Sequence, residues 1–195
     1  MNYQSIIWER LEMASPFNHL EGRQWYTDAN IWCKEIANYY KVPVELVAGL
    51  TALFSPLKSW EINKRLTKRF LEEKTCPTFH YQRNKALKLW SEIISDLKED
   101  QRDNYIIKTL NGRKTTSFYH NMMYPETSDK VTIDTHILYG LGEAKISPNK
   151  YNIIERSFQE VSIKAGLKPH QLQAIVWLQV KDEKHNDKRN SSKKR

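Results

Sequence analysis

Two side chains in this 195-residue chain have the type and setting for chemistry at a reacting bond, Lys114 and Asp134. Lys114 lies in "LNGRKT", directly behind the turn pair Asn111-Gly112 and Arg113, where a helical pattern begins. Asp134 stands between the β-branched Val131-Thr132-Ile133 and the pair Thr135-His136. An uncharged lysine amine is a nucleophile, whereas a protonated one is a phosphate ligand. A fixed carboxylate stabilises positive charge developing nearby and can orient an attacking water or amine. Each residue also has a structural reading. Asn-Gly between helices is commonly just a turn, and an aspartate heading a helix is an N-cap that accepts a backbone N–H.

The elements that would position these two residues are helical almost throughout. Residues 3–14 place Ile6, Ile7, Leu11 and Ala14 on one face, and residues 22–41 do the same with Trp25, Ala29, Trp32, Ile36 and Tyr40. Pro43 opens "VELVAGLTALF", apolar on most sides and therefore expected at the centre of the fold. "SPLK" breaks that run, and Ser59 is placed to cap "WEINKRLTKRFLEE", a stretch that ends by Cys76-Pro77. Further helices are expected over 82–97, 101–109, 113–123, 135–142, 149–165 and 170–181, with Gly166 as a stop and Pro148 and Pro169 as starts. "VTI" is too short for a strand pattern. The expectation is an all-α fold: a two-lobed helical domain over 1–181, with lobes of about 45–130 and of 1–44 plus 131–181. A basic, disordered tail over 182–195 follows.

Helix, Asn111-Gly112, helix is also the layout of a phosphate clamp. The turn exposes backbone N–H groups, the second helix points its positive dipole end outward, and Arg113 and Lys114 add charge. A glycine at 112 lets a phosphate approach the backbone closely.

The composition narrows the partners. The formal net charge is +8 and the pI about 9.3, which favours a polyanion. Residues 181–195 carry seven basic against three acidic side chains, so half of the excess lies in the tail, which is either solvated or a loose electrostatic contact. Two cysteines, Cys33 and Cys76, are too few for a cysteine-held iron–sulfur cluster or a four-cysteine zinc site and read as reduced thiols. The six histidines never fall in H-E-x-x-H spacing, so no metal is expected. No signal peptide or membrane-spanning run is seen, so the expectation is a cytoplasmic monomer with no membrane partner.

The order Gly-Arg-Lys-Thr, an apolar helix, then Asp-Thr-His resembles the core of helix-hairpin-helix DNA glycosylases of the endonuclease III type. Their pattern reads roughly L-P-G-V-G-R-K-T-A and then V-D-T-H. "LTALFSPLKSWEINKRL" resembles the family's "LLSAQ" helix and its D-x-x-V-N segment, with Ser55 on the serine and Asn63 on the asparagine. "QRNKALKLWSEI" resembles "NSKAENIIK", so the likeness covers about residues 45–180. The resemblance implies double-stranded DNA as partner, with Lys114 on the Schiff-base lysine and Asp134 on the essential aspartate. It further implies DNA contacts from Asn111, Gly112, Arg113, Thr115, Ser55 and Leu57, with Leu57 on the wedge position.

Two departures stand out. The hairpin "LNGRKT" is shorter than "LPGVGRKT", and the cysteine-rich cluster loop has no counterpart. The likeness is therefore to compact, cluster-free, phage-related members, some concerned with modified thymine or cytosine. It implies no cofactor, apart from a monovalent cation that the hairpin could hold. The implied activity is excision of a modified pyrimidine, in base excision or in defence against phage DNA with modified bases. AP-lyase activity depends on Lys114 losing its proton. A pocket for the base could draw on Trp60, Asn63, Tyr119, His120 and Asn121, although aromatics at helical spacing also build cores, and His136 reads as a structural histidine. The alternative is a non-catalytic DNA-binding protein that keeps the hairpin and uses Asp134 as a cap.

Overall fold

The computed structural model describes residues 1–75, 80–95 and 97–192, with side chains described through 186; Cys76 and Pro77 lie outside the described residues. The fold is all-α, with no strand among the described residues. The helices are α1 (Tyr3–Met13), α2 (Pro16–Tyr40), α3 (Val44–Phe54), α4 (Trp60–Glu73) and α5 (His80–Ser95), then α6 (Glu99–Leu110), α7 (Arg113–Met123), α8 (Thr135–Gly140), α9 (Pro148–Ala165) and α10 (Pro169–Ser192). No helix among the described residues is long and apolar enough to cross a membrane. By its internal contacts the chain forms two compact units, Thr27–Pro125 and Met1–Tyr26 with Glu126–Arg195.

In the Thr27–Pro125 unit, α3 is buried from Glu45 to Phe54 and packs against α4, α5, α6 and α7. Its sequence is apolar on nearly every side, which suits a helix surrounded by others. Gly49 lets α6 come close, since a Cβ there would sit 3.0 Å from Ile106 Cγ2. Several polar groups in this core are matched. The Thr51 hydroxyl donates to Val47 O at 2.7 Å and lies 3.1 Å from the Thr67 hydroxyl. Asn30 Nδ2 donates to Met122 O at 2.6 Å, which ties α2 to the end of α7.

In the other unit, α10 packs against α8, α1 and α9, around Ile7, Leu11, Ile137, Ile154, Phe158 and Ile175. The "VTI" run is buried and forms no strand among the described residues. The Tyr151 hydroxyl instead donates to Val131 O at 2.7 Å and accepts from Ile133 N at 3.3 Å, satisfying backbone groups a sheet would otherwise pair. Gly140 brings α8 against α10, because a Cβ there would meet Val180 Cγ2 at 2.5 Å.

Two elements are longer than the sequence suggested. α2 begins at Pro16, headed by a reciprocal pair in which Asn18 Oδ1 accepts from Ser15 N at 3.0 Å and Asn18 N donates to Ser15 Oγ at 3.1 Å. This is a capping box with asparagine in the place of Glu or Gln. α10 continues past 181, where Glu183 accepts from Gln179 at 3.2 Å and pairs with Arg10 of α1. That anchor holds the helix to the unit one turn beyond the last apolar core residue, Val180.

Candidate functional site

The α6–α7 turn is built by Asn111 and Gly112 in different ways. Asn111 takes the left-handed conformation, φ 49°, and its N–H donates to Ile107 O at 3.1 Å, closing α6. Asparagine tolerates that region better than most residues. Gly112 is extended, φ −146°, which any residue can adopt. What the glycine provides is space, since the nearest atom to an added Cβ is Thr115 Oγ1 at 3.1 Å. It also brings no side-chain acceptor to the head of α7, which has no side-chain cap. The Thr115 and Thr116 hydroxyls donate back to Gly112 O at 2.9 and 3.1 Å. Arg113 is exposed, Lys114 and Thr115 are half-buried, and Lys85 Nζ donates to Leu110 O at 3.2 Å behind the turn.

The α3–α4 loop carries the other expected contacts of this unit. The Ser55 hydroxyl donates to Ala52 O at 2.9 Å and closes α3. Leu57 is 86% exposed with φ +60°, a left-handed backbone at an apolar residue. Trp60 opens α4 with its ring edge-on to Trp32, centroids 5.5 Å apart, and Lys64 5.6 Å from its face. Asn63 is buried, and its side-chain oxygen has no hydrogen-bond partner among the described residues.

The residues a base pocket could draw on differ in exposure. Tyr119 and Asn121 are fully buried. The Tyr119 and Tyr124 hydroxyls both donate to Asp103, and burial, then that hydrogen bond, pushes both phenols well above their ordinary range. Tyr119 works as a buried donor. His120 is half-buried between the rings of Tyr119 and Tyr124.

Asp134 lies in the other unit, at the head of α8. It is half-buried and uses both carboxylate oxygens. Oδ1 accepts from His136 N and Ile137 N, each at 2.9 Å, as an N-cap does. Oδ2 accepts from the Trp177 indole Nε1 of α10, also at 2.9 Å. A carboxylate has about four acceptor positions, so three donors fix its plane and leave about one for another group. The His136 ring stands edge-on to Trp177 at 5.8 Å, and Lys184 Nζ lies 3.5 Å from His136 Nδ1 and 4.0 Å from the centre of the Tyr139 ring. Lys181 Nζ lies 4.8 Å from the centre of the Trp177 ring. The sequence reading missed Trp177 and assigned Lys181 and Lys184 to a basic end. The signal was present in their spacing, 177, 181, 184, which is one stripe of a helix.

Lys114 and Asp134 thus belong to different units, each held by its own local structure. No group of three or more His, Cys, Asp or Glu side chains able to hold a metal ion occurs among the described residues. Cys33 is a free, buried thiol whose pKa burial pushes up to about 12. The model of a family of unknown function, DUF7178, matches residues 1–184. No curated protein and no solved structure matches the chain.

Proposed function

Because the chain belongs to the DUF7178 family, whose function is unknown, we propose a function from its own residues: a DNA glycosylase that flips out a modified pyrimidine and hydrolyses its N-glycosidic bond. In this reading α6, Asn111-Gly112 and α7 act as a helix-hairpin-helix element in a two-lobed glycosylase-like domain. Gly112, Arg113 and Thr115 take backbone phosphates, and Lys114 either joins them or serves as a Schiff-base nucleophile. Flipping costs about a few kcal/mol. Breaking the bond to the base then builds positive charge on the sugar, which Asp134 stabilises while it orients the attacking group.

The observation that carries the reading is Leu57. A leucine held 86% exposed on a left-handed backbone contributes nothing to the core. Such a conformation costs about 1–2 kcal/mol for a residue with a Cβ. The backbone conformation closes the Ser55–Lys58 turn, where Lys58 N donates to Ser55 O at 3.3 Å. The exposed apolar side chain adds nothing to that turn, whereas it suits a wedge that fills the gap left by a flipped base. Asp134 adds support: capping needs only Oδ1, yet Trp177 holds Oδ2 as well.

One observation favours the second reading, a DNA-binding protein without catalysis. The Oδ1 geometry of Asp134 is that of an ordinary N-cap, which accounts for the residue without any reaction. The two readings separate on incubation with duplexes carrying different modified pyrimidines, with released base identified by mass spectrometry. Release of one base supports the glycosylase; binding without release of any supports the second reading. Borohydride trapping then assigns Lys114. A covalent complex formed by the wild type and lost in Lys114→Gln makes the lysine a nucleophile with AP-lyase activity. No trapping alongside base release makes the enzyme monofunctional.

A further inference from the structure

Resting on the DNA-glycosylase reading, we propose that Trp177, Lys181 and Lys184 of α10 form a second binding site for the DNA backbone, one that holds a phosphodiester beside Asp134.

α10 sorts its charges by face. Asp182 accepts from Asn18 Nδ2 at 3.0 Å, and Glu183 is paired with Arg10 and accepts from Gln179. Both acids are therefore engaged by groups on the other side of the helix. Lys181 and Lys184 share the stripe of Trp177 and make no ion pair with a carboxylate among the described residues. Their ammonium groups rest near aromatic faces, at 4.8 Å for Trp177 and 4.0 Å for Tyr139. An aromatic face positions a cation for about 0.5–1 kcal/mol at an exposed site and leaves its charge uncompensated. A cation that is positioned but not neutralised is suited to an anion from outside.

The same indole that meets Lys181 with its ring gives its N–H to Asp134 Oδ2 at 2.9 Å. One side chain therefore meets both the carboxylate and the Lys181 ammonium. The pairing answers an electrostatic difficulty. A carboxylate that must lie close to a sugar in DNA repels the phosphates on either side of that sugar. Two ammonium charges on the adjoining helix offset this repulsion and draw the backbone to Asp134. Lys181 and Lys184 are thus positioning residues.

The test uses the full chain and a short duplex with a tetrahydrofuran abasic-site analogue, alongside the same duplex without it. Dissociation constants are measured over a range of salt for the wild type, for Lys181→Gln with Lys184→Gln, and for a control with equal charge loss at two exposed lysines elsewhere, Lys34→Gln with Lys164→Gln. The α10 variant is expected to lose about tenfold or more in affinity for the abasic duplex and part of its preference over the intact one. Its salt slope should fall by about one to two, at about 0.9 per phosphate contact. The control should stay within about twofold of wild type. Equal behaviour of the α10 variant and the control overturns the site while leaving the glycosylase reading in place. Failure of the wild type to bind either duplex removes that reading and the site with it.

Discussion

The heads of α7 and α8 begin in opposite ways. α7 starts behind Gly112, which brings no acceptor, and the nearest hydroxyls, Thr115 and Thr116, donate to Gly112 O. α8 starts with its own anion, Asp134, bonded to two of its N–H groups and to Trp177. The first N–H groups of any helix form a positive end that takes either a side chain of the protein or an anion from outside. On the proposed reading, α7 takes an external phosphate. At α8 the charge is supplied from within and held still, which on the same reading suits a reaction centre.

Exchanging the two heads tests that contrast with the largest effects. Asp134→Gly gives α8 the head of α7. It should cost a few tenths of a kcal/mol at the cap and about 1.5 kcal/mol or more for the Trp177 N–H left without its charged partner, read by denaturant unfolding. Base release should disappear. Gly112→Asp gives α7 the head of α8. Its extended backbone accepts the change and Thr115 Oγ1 needs to give only slightly, so stability should rise by a few tenths of a kcal/mol. DNA affinity should fall by about tenfold or more, because the new carboxylate occupies the phosphate position. Unchanged affinity would show that the head of α7 is only a turn.

Leu57→Gly sharpens the comparison from a third position. Removing the left-handed strain should stabilise the chain by up to about 1 kcal/mol, since the exposed side chain makes no core contact to lose. Base release should fall at the same time. A gain in melting temperature with full activity would remove the wedge. The smallest effect lies away from both heads. Hydrogen bonds from Lys150 and Tyr3 hold the Glu143 carboxyl below its ordinary range. A folded pKa below the unfolded one gives stability that is present above the ordinary glutamate range and lost as pH falls through the depressed value. Glu143→Gln should therefore reduce the melting temperature slightly near neutral pH and flatten its decline in acid, with base release unaffected.

Much of this was legible in sequence because capping and periodicity are local. "VELVAGLTALF" could only be a surrounded helix, Ser59 caps α4 as its position suggests, and α7 begins and ends where the pattern does. The start of α2 was not, because Asn18 stands where a capping box normally has Glu or Gln. The end of α10 escaped for a different reason. Lys181 and Glu183 read as solvated charge until Arg10, far away in sequence, is seen to pair with Glu183. Trp177 escaped likewise, since an indole at core spacing gives no sign that its N–H reaches a carboxylate on another helix. Tyr119, one of the residues a base pocket could draw on, is buried with its hydroxyl on Asp103, a partner on another helix that the local pattern does not reveal.

The most direct test of the central claim, that the Asp134 charge serves chemistry beyond capping, is single-turnover base release at saturating protein for wild type and Asp134→Asn. Asparagine keeps the size and can still accept from His136 N and Ile137 N, so folding and DNA binding should be close to wild type. Loss of the charge should slow release by about a hundredfold or more. Equal rates in the two proteins at equal DNA occupancy would contradict the claim and leave Asp134 as a cap.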